Sequence, residues 1–420
     1  MTPRRVHIVG AGLAGLSAAT TLAASGIDVS LHEAGPAAGG RCRSYFDRAL
    51  DCRVDNGNHL ILSGNRAVAE YLARIGATDM LAPLDAPRFP FLDLATGESW
   101  VLRPNRGRLP WWVLCPSRRV PGTRARDYLA LDRLRRARGE TLVADLLPEG
   151  ALTRRLVEPL AIAALNTPPG EALARLLGAV VNETLAAGGA TCIPLLPRAG
   201  LSEALVDPAL AFLAAHGAEI AFSRRVTALA REAGRVTALA TPAGPIPLGA
   251  EDAALLAVPP WIAADLLPGL TAPDAFQAIV NVHFRAEAAP GAPPFIGLVG
   301  GSAEWVFAKP GHLSVTISAA NRLVERDAED LAAATWPDVR RAFRLADPMP
   351  PWRVVKERRA TFAATPAQER RRPGPDAPRT QLGLANLALA GDWTDTGLPA
   401  TIEGAIRSGR AAARHLLGHA

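Results

Sequence analysis

Lysine is almost missing from this chain: among 46 basic residues only Lys309 and Lys356 are lysine. Arginine therefore carries the formal net charge of +6, in a sequence also rich in Ala and Pro. A GC-rich genome produces that bias as readily as an anionic partner does, so no nucleic-acid partner is expected. Cysteine is scarce too. Cys42, Cys52, Cys115 and Cys192 form no C-x-x-C pair and no metal-ligand grouping. That argues against a disulfide framework and a metal centre, and fits a reducing cytoplasm. Tyrosine is confined to Tyr45, Tyr71 and Tyr128. Although 49% of the residues are hydrophobic, no apolar run is long and uninterrupted enough to cross a bilayer. With 420 residues there is length for two domains, each with a full core.

What is present begins at residue 6. A β-branched run, Val6 to Val9, stops at Gly10, and Gly10, Gly12 and Gly15 follow at G-x-G-x-x-G spacing ahead of an Ala/Leu-rich helical stretch. A second short strand ends at Glu33. Gly10 allows a tight strand-to-helix turn and Gly15 close packing of helix on strand. Gly12 lets a pyrophosphate approach the backbone, where the free N–H groups of Leu13 and Ala14 at the helix start meet its charge. Glu33, roughly 20 residues on, suits a ribose diol and repels a 2′-phosphate, which disfavours NADP. Arg4-Arg5 ahead of this run also resembles a twin-arginine export signal, but cleavage near Ala24 would cut through the nucleotide site.

Three further stretches carry chemistry. Gly39-Gly40-Arg41 gives a flexible turn and a forked donor for phosphate or flavin oxygens, or else an ordinary surface loop. Asp55-Asn56-Gly57-Asn58-His59 feeds an apolar run. Near the C-terminus an apolar strand, Asn386 to Ala390, ends at Gly391-Asp392-Trp393, and a helix is predicted over Thr401 to Ala413 with Pro399 before it and Gly418 after it. A carboxylate at Asp392 suits ribityl hydroxyls, and the helix start at Thr401-Ile402 points partial positive charge at a flavin edge.

Together these motifs resemble the amine oxidase and phytoene desaturase superfamily of FAD enzymes. Within it they are most similar to the squalene-associated, hydroxysqualene dehydroxylase branch, through D-N-G-x-H and G-D-W-T-x-T-G-L-P-A-T-I-E-G-A-x-R-S-G. The match covers both ends of the chain and only loosely its middle, as at Arg359 to Pro366. Two departures stand out: Ala37-Ala38 where relatives often carry Arg, and Asn58 where glutamine is commoner. The resemblance implies an α/β fold, with a Rossmann-type FAD-binding domain of parallel sheet and helices, and an α+β substrate domain with an antiparallel sheet and a helical cap. The ranges expected are 1–60, 195–275 and 380–420 for the FAD domain, and 61–194 and 276–379 for the substrate domain. The expected cofactor contacts are Gly10, Gly12, Leu13, Ala14, Gly15, Glu33, Gly39, Gly40, Arg41, Asn56, Gly57, Val226, Gly391, Asp392, Thr401 and Ile402, with Val226 on the adenine side of a strand.

The middle is read from pattern. In residues 61–195, adjacent Trp111 and Trp112 precede clustered arginines from Arg118 to Arg138. That is either a headgroup-level membrane anchor or a core Trp pair beside a solvated basic helix. Leu156 to Leu165 and Ala172 to Leu185 read as helices, lining an apolar tunnel or packing a core. A helix is expected from Gly200 to Gly217, a hairpin from Glu219 to Leu229 and Arg235 to Thr241, and a buried strand at Ala253 to Val258. Alternation from Phe276 to Ser318 predicts an antiparallel sheet. Arg322 to Leu345 should be helical, and Gln368 to Pro378 a charged surface loop.

Three oxidoreductase readings compete. A flavin amine oxidase frames its amine with aromatics, and only Trp393 stands near a cofactor motif. A carotenoid-type desaturase removes hydride from a polyprenyl chain. A dehydroxylase delivers hydride to an allylic carbon of hydroxysqualene as its hydroxyl leaves, yielding squalene for squalene or hopanoid biosynthesis. For the last two, some thirty hydrocarbon carbons at ~0.8 kcal/mol per methylene make extraction from water cost roughly 20 kcal/mol, so the substrate should arrive from a membrane. Hydroxide leaves poorly and needs a donor at its oxygen. His59 is the first candidate and Lys309 the second, with flavin positioning the alternative role for His59. No cysteine follows Cys192, so FAD should be held without a thioether. The location expected is cytoplasmic, with membrane association open.

Overall fold

The computed structural model describes residues 2–346 and 348–418; positions 1, 347, 419 and 420 of the expected domain ranges lie outside the described residues. Its first layer is a five-stranded, wholly parallel sheet in the order Glu219–Ala221, Asp28–His32, Arg5–Val9, Asp252–Leu256, Leu387–Leu389. Arg5 thus opens the middle strand. The inner strands are buried because Val236 and Leu239 of the antiparallel strand Arg235–Thr241 pack with Val9, Leu256 and Leu389 while helices pack with Ile8, Leu255 and Ala388, so that both faces are covered. On one of them the first helix, Leu13–Ala24, packs against the C-terminal helix, Ile402–Leu416. The small residues of the first helix bring the two axes close: a side chain at Gly409 would sit 2.0 Å from the Ala14 carbonyl. The chain's two ends are therefore neighbours in one core.

The second layer is a seven-stranded sheet in the order Trp352–Phe362, Phe276–Phe284, His312–Ile317, Trp305–Lys309, Phe295–Val299, Phe89–Asp93, Ser99–Leu102. The antiparallel expectation needs correcting. Phe89–Asp93 comes from a distant part of the chain and runs parallel to Phe295–Val299, so the sheet is mixed. It also draws two strands from the segment expected to be a helical cap. Along Phe276–Phe284 and His312–Ile317, alternate residues Val280, Val282, Phe284, Leu313, Val315 and Ile317 join a core that includes the helix Ala328–Phe343. The intervening residues Asn281, His283, Ser314 and Thr316 are polar yet buried, so both faces are covered.

Three other expectations change. Glu219–Ala221 pairs with Asp28–His32 in the parallel sheet, so the hairpin is Ala228–Glu232 with Arg235–Thr241. The segment Gln368 to Pro378 is not a surface loop: Gln368, Glu369 and Arg372 are each 7% exposed. The tryptophan pair divides, with Trp112 buried edge-on against Tyr128 at 5.1 Å and Trp111 48% exposed.

Candidate active site

The glycine turn has a crowded side and an open one. Gly10 adopts φ +103°, and a Cβ there would meet the Ala257 carbonyl at 2.4 Å. A Cβ at Gly15 would lie 1.9 Å from the Gly10 carbonyl, whereas one at Gly12 would meet nothing within 4 Å. The open side is headed by the first-turn N–H groups of the helix, Leu13 to Gly15, which helix geometry leaves without intrahelical partners. Glu33 lies against this turn, its carboxylate accepting from the Ala11 N–H at 2.8 Å and the Gly35 N–H at 2.7 Å. Val226 is not on a strand. It is buried in the segment before Ala228, after Ser223 and Arg224 have bonded to Gly35 and Glu33.

The other motifs converge here. The Gly39 N–H donates to the Ala11 carbonyl at 2.8 Å, laying the Gly39-Gly40-Arg41 loop along the glycine turn. Arg41 reaches across to Asp392 at 2.7 Å. The turn after Leu387–Leu389 is tied to the C-terminal helix, since the Gly391 N–H donates to Ser408 at 3.0 Å. Trp393 Nε1 donates to the Val258 carbonyl at 2.9 Å. Thr401 caps the C-terminal helix, accepting from the Gly404 N–H at 3.0 Å, and Ile402 begins it. Between these parts lies a narrow crevice of about 10 Å³, walled by Arg41, Asp392, Trp393, Trp261, Phe276 and Phe362 among others. The single-aromatic expectation is thus too low. Trp261 and Phe276 come from segments no motif marks and Phe362 from the loosely matched stretch at Arg359 to Pro366, so aromatic scarcity carries no weight against an amine substrate.

Asp55 organises the next loop. Its Oδ1 accepts from Ser44 at 2.6 Å and from the Leu201 N–H at 2.9 Å, and its Oδ2 pairs with Lys309. Burial opposes the Asp55 charge, but Lys309 and the Leu201 N–H outweigh it and hold the carboxyl below its ordinary range. Asn56 is buried, and Gly57 and His59 follow partly covered. His59 Nε2 lies 3.8 Å from Cys42 Sγ. Desolvation pushes the His59 imidazole down to about 4, against the pull of Asp55, so it is neutral at pH 7. The Cys42 thiol is pushed up to about 12 by burial and is no nucleophile.

Sequence reasoning missed a support behind Trp393. Arg372 donates to the carbonyls of Trp393 and Thr394 and pairs with Glu369 at 2.9 Å, fixing the turn that carries Asp392. Its charged, Pro-rich setting reads as surface, and no spacing announces otherwise.

The parts fit a flavin dinucleotide: an open backbone cradle at Gly12, a forked cation at Arg41 and a carboxylate at the strand end. Residues 13–417 match the family model for flavin containing amine oxidoreductases. The chain is 49% identical to a hydroxysqualene dehydroxylase of Sinorhizobium fredii over 98% of both chains. It is 50% identical to one of Rhodopseudomonas palustris over 98% of this chain and 97% of the other. Its fold resembles cyclohexylamine oxidase from Brevibacterium oxydans, with a TM-score of 0.70 and 17% identity over 99% of each chain. This chain therefore belongs to the family of flavin containing amine oxidoreductases and is a flavin-dependent oxidoreductase.

Proposed function

We infer that the protein is a hydroxysqualene dehydroxylase, reducing an allylic isoprenoid alcohol to squalene. The observation that carries this is end-to-end likeness, at about half identity, to relatives of that name. The cofactor is FAD, held without a covalent bond because no cysteine follows Cys192. The FAD part comprises 1–60, 195–275 and 380–420, and the substrate part 61–194 and 276–379. In its reduced form the bound flavin supplies the hydride.

The protein's own groups do the rest. The helix starts at Leu13 and Ile402 offer N–H groups and partial positive charge to the dinucleotide. Arg41 and Asp392, which pair with each other at 2.7 Å, would be the side chains that hold it. His59, being neutral, donates an N–H hydrogen bond to the departing oxygen. Lys309 keeps its pair with Asp55 and so holds the Asp55–His59 loop.

Substrate enters from a membrane. Leu109 (80% exposed), Leu114 (67%), Leu129 (62%) and Trp111 form exposed apolar surface around the Trp112–Tyr128 contact. Arg118 stacks 4.6 Å over Trp111, and Arg106, Arg108 and Arg124 are exposed nearby. Apolar tips ringed by arginine suit an anionic headgroup layer, each arginine contributing about 1 kcal/mol. Among the described residues no helix is long and apolar enough to cross a membrane.

The test is anaerobic incubation of chemically reduced enzyme with hydroxysqualene, products identified by mass spectrometry. Squalene is expected. No conversion there, with desaturation by oxidised enzyme, would replace this reading with the desaturase one. In His59→Ala, turnover should fall with flavin still bound; unchanged turnover and spectrum would remove His59 from the chemistry.

A further inference from the structure

Opposite its aliphatic face, the seven-stranded sheet changes character across its width. On the strands Phe276–Phe284 and His312–Ile317 it is polar and covered: Asn281 is 2% exposed, Ser314 0% and Thr316 9%. On the next strand the residues paired with Ser314 and Thr316 are Phe307 and Trp305. Beyond them Phe295 pairs with Phe307, and Gly297 pairs with Trp305 on one side and Phe91 on the other. A Cβ at Gly297 would sit 2.6 Å from the Phe91 ring and 3.2 Å from Trp305. Glycine is what lets those two rings meet above it, at 5.4 Å. The face thus passes from amides and hydroxyls to packed aromatic rings within one strand spacing, about 4.8 Å. Trp305 stays partly uncovered.

Asn58 lies on this border. Its Nδ2 donates to Ser314 Oγ at 2.7 Å and to Thr316 Oγ1 at 2.9 Å. The surrounding bonds leave that amide one orientation. The Asn56 carbonyl can only accept, so Asn281 turns Nδ2 to it at 3.4 Å and Oδ1 to Thr316 at 2.9 Å. Thr316 has one hydroxyl proton and gives it to Asn281, so its oxygen is left to accept. The Asn58 atom facing Thr316 must then be nitrogen. Both N–H groups of Asn58 are spent on the sheet, and Oδ1 is the atom that remains. It is buried, with no hydrogen-bond partner among the described residues. A buried carbonyl oxygen without a donor is unfavourable, and this one belongs to the residue before His59.

A ligand that suits both halves of this face carries one O–H on an unsaturated hydrocarbon chain. The hydroxyl supplies the donor that Oδ1 lacks, and the chain lies towards the rings. We propose that Asn58 Oδ1 accepts the hydroxyl proton of the substrate and so selects the alcohol over its hydrocarbon product. The proposal rests on the dehydroxylase reading. The bond to Oδ1 leaves the lone pairs of the hydroxyl oxygen for the group that donates to it as the C–O bond breaks. An oxygen gathering negative charge is a poorer donor, so this bond favours the bound substrate at least as much as the transition state. Asn58 is therefore a specificity-determining residue. Squalene offers Oδ1 no donor and is held less firmly.

The test measures binding of hydroxysqualene, its methyl ether and squalene to the oxidised, FAD-loaded enzyme, which has no hydride to give, by flavin absorbance in detergent micelles. In wild type the alcohol should bind roughly 10- to 100-fold more tightly than the ether or squalene. In Asn58→Leu that preference should vanish, with squalene and FAD still bound. In reduced enzyme the same variant should raise KM with kcat held. Equal affinity of wild type for alcohol and ether would overturn the proposal, and that comparison stands whether or not Asn58→Leu folds. An undiminished preference in Asn58→Leu, or an equal loss for all three ligands, would overturn it too. So would lost FAD affinity with the preference intact, which would give Oδ1 to the cofactor. A reduced wild-type enzyme that makes no squalene fails the dehydroxylase reading instead.

Discussion

Two walls within the molecule, the glycine turn and the polar face of the seven-stranded sheet, are made in different ways. Gly10, Gly12, Gly15, Gly39 and Gly40 shape the first, on the parallel-sheet side, largely through backbone N–H and C=O groups. Asn281, His283, Ser314 and Thr316 shape the second, on the seven-stranded side, mostly through side-chain bonds. A backbone wall tolerates few residue types, because a single Cβ fills the space a ligand or a neighbouring carbonyl needs. A side-chain wall can be built on any alternating strand.

The sharpest way to break this contrast is inside one turn. Gly15→Val forces a side chain onto the Gly10 carbonyl, so we expect a loss above about 3 kcal/mol, at the top of the overpacking range, and little folded protein. Gly12→Ala points into open space, so its thermal midpoint should match wild type while flavin affinity falls at least ~10-fold, about 1.4 kcal/mol. Equal melting and equal flavin affinity across wild type and both variants would dissolve the distinction. Next in size is Arg372→Met. It strands the carbonyls of Trp393 and Thr394 and leaves Glu369 with only Arg175, which should cost about 3 kcal/mol in denaturant titration.

The difference between the walls also explains what was legible. The turn at Gly10 to Gly15, Glu33, Asp392 and the helix capped by Thr401 could be read because each demands a particular residue at a particular spacing. The order of the parallel sheet did not follow from them, since its edge strand Glu219–Ala221 read as part of a hairpin. The parallel entry of Phe89–Asp93, the burial of Arg372 and the position of Val226 could not be read. Each depends on which distant segment packs alongside. The polar stripe on Phe276–Phe284 and His312–Ile317 was visible as alternation, but alternation usually marks one face as solvated. Only the fold shows that the Asp55–His59 loop covers it.

Buried histidines offer a third comparison. His32 is 1% exposed, and desolvation, helped by His7, lowers it to about 4 from 6.5. His283 is lowered likewise. Because the unfolded chain binds protons more readily, stability is fully present above about pH 6.5 and is lost as pH falls towards the folded values. Complete protonation at His32 alone costs roughly 3 kcal/mol. Urea titrations at pH 7.5 and 5 should show the fall, with His32→Phe reducing it; a flat profile would contradict the burial account. The smallest effect belongs to the outer surface. Trp111→Ser with Leu114→Ser should weaken binding to anionic vesicles roughly 10-fold or more, as each apolar side chain contributes about 1.5–3 kcal/mol when buried. The melting point should stay unchanged. Undiminished vesicle binding would move the membrane contact elsewhere.

The meeting of the chain's two ends around one flavin is tested most directly by the absorbance spectrum of the purified protein, followed by acid precipitation and assay of the supernatant. The account predicts a yellow protein that releases one FAD per chain and leaves a colourless pellet. A colourless protein that takes up no FAD, or a pellet that keeps its colour, would contradict it.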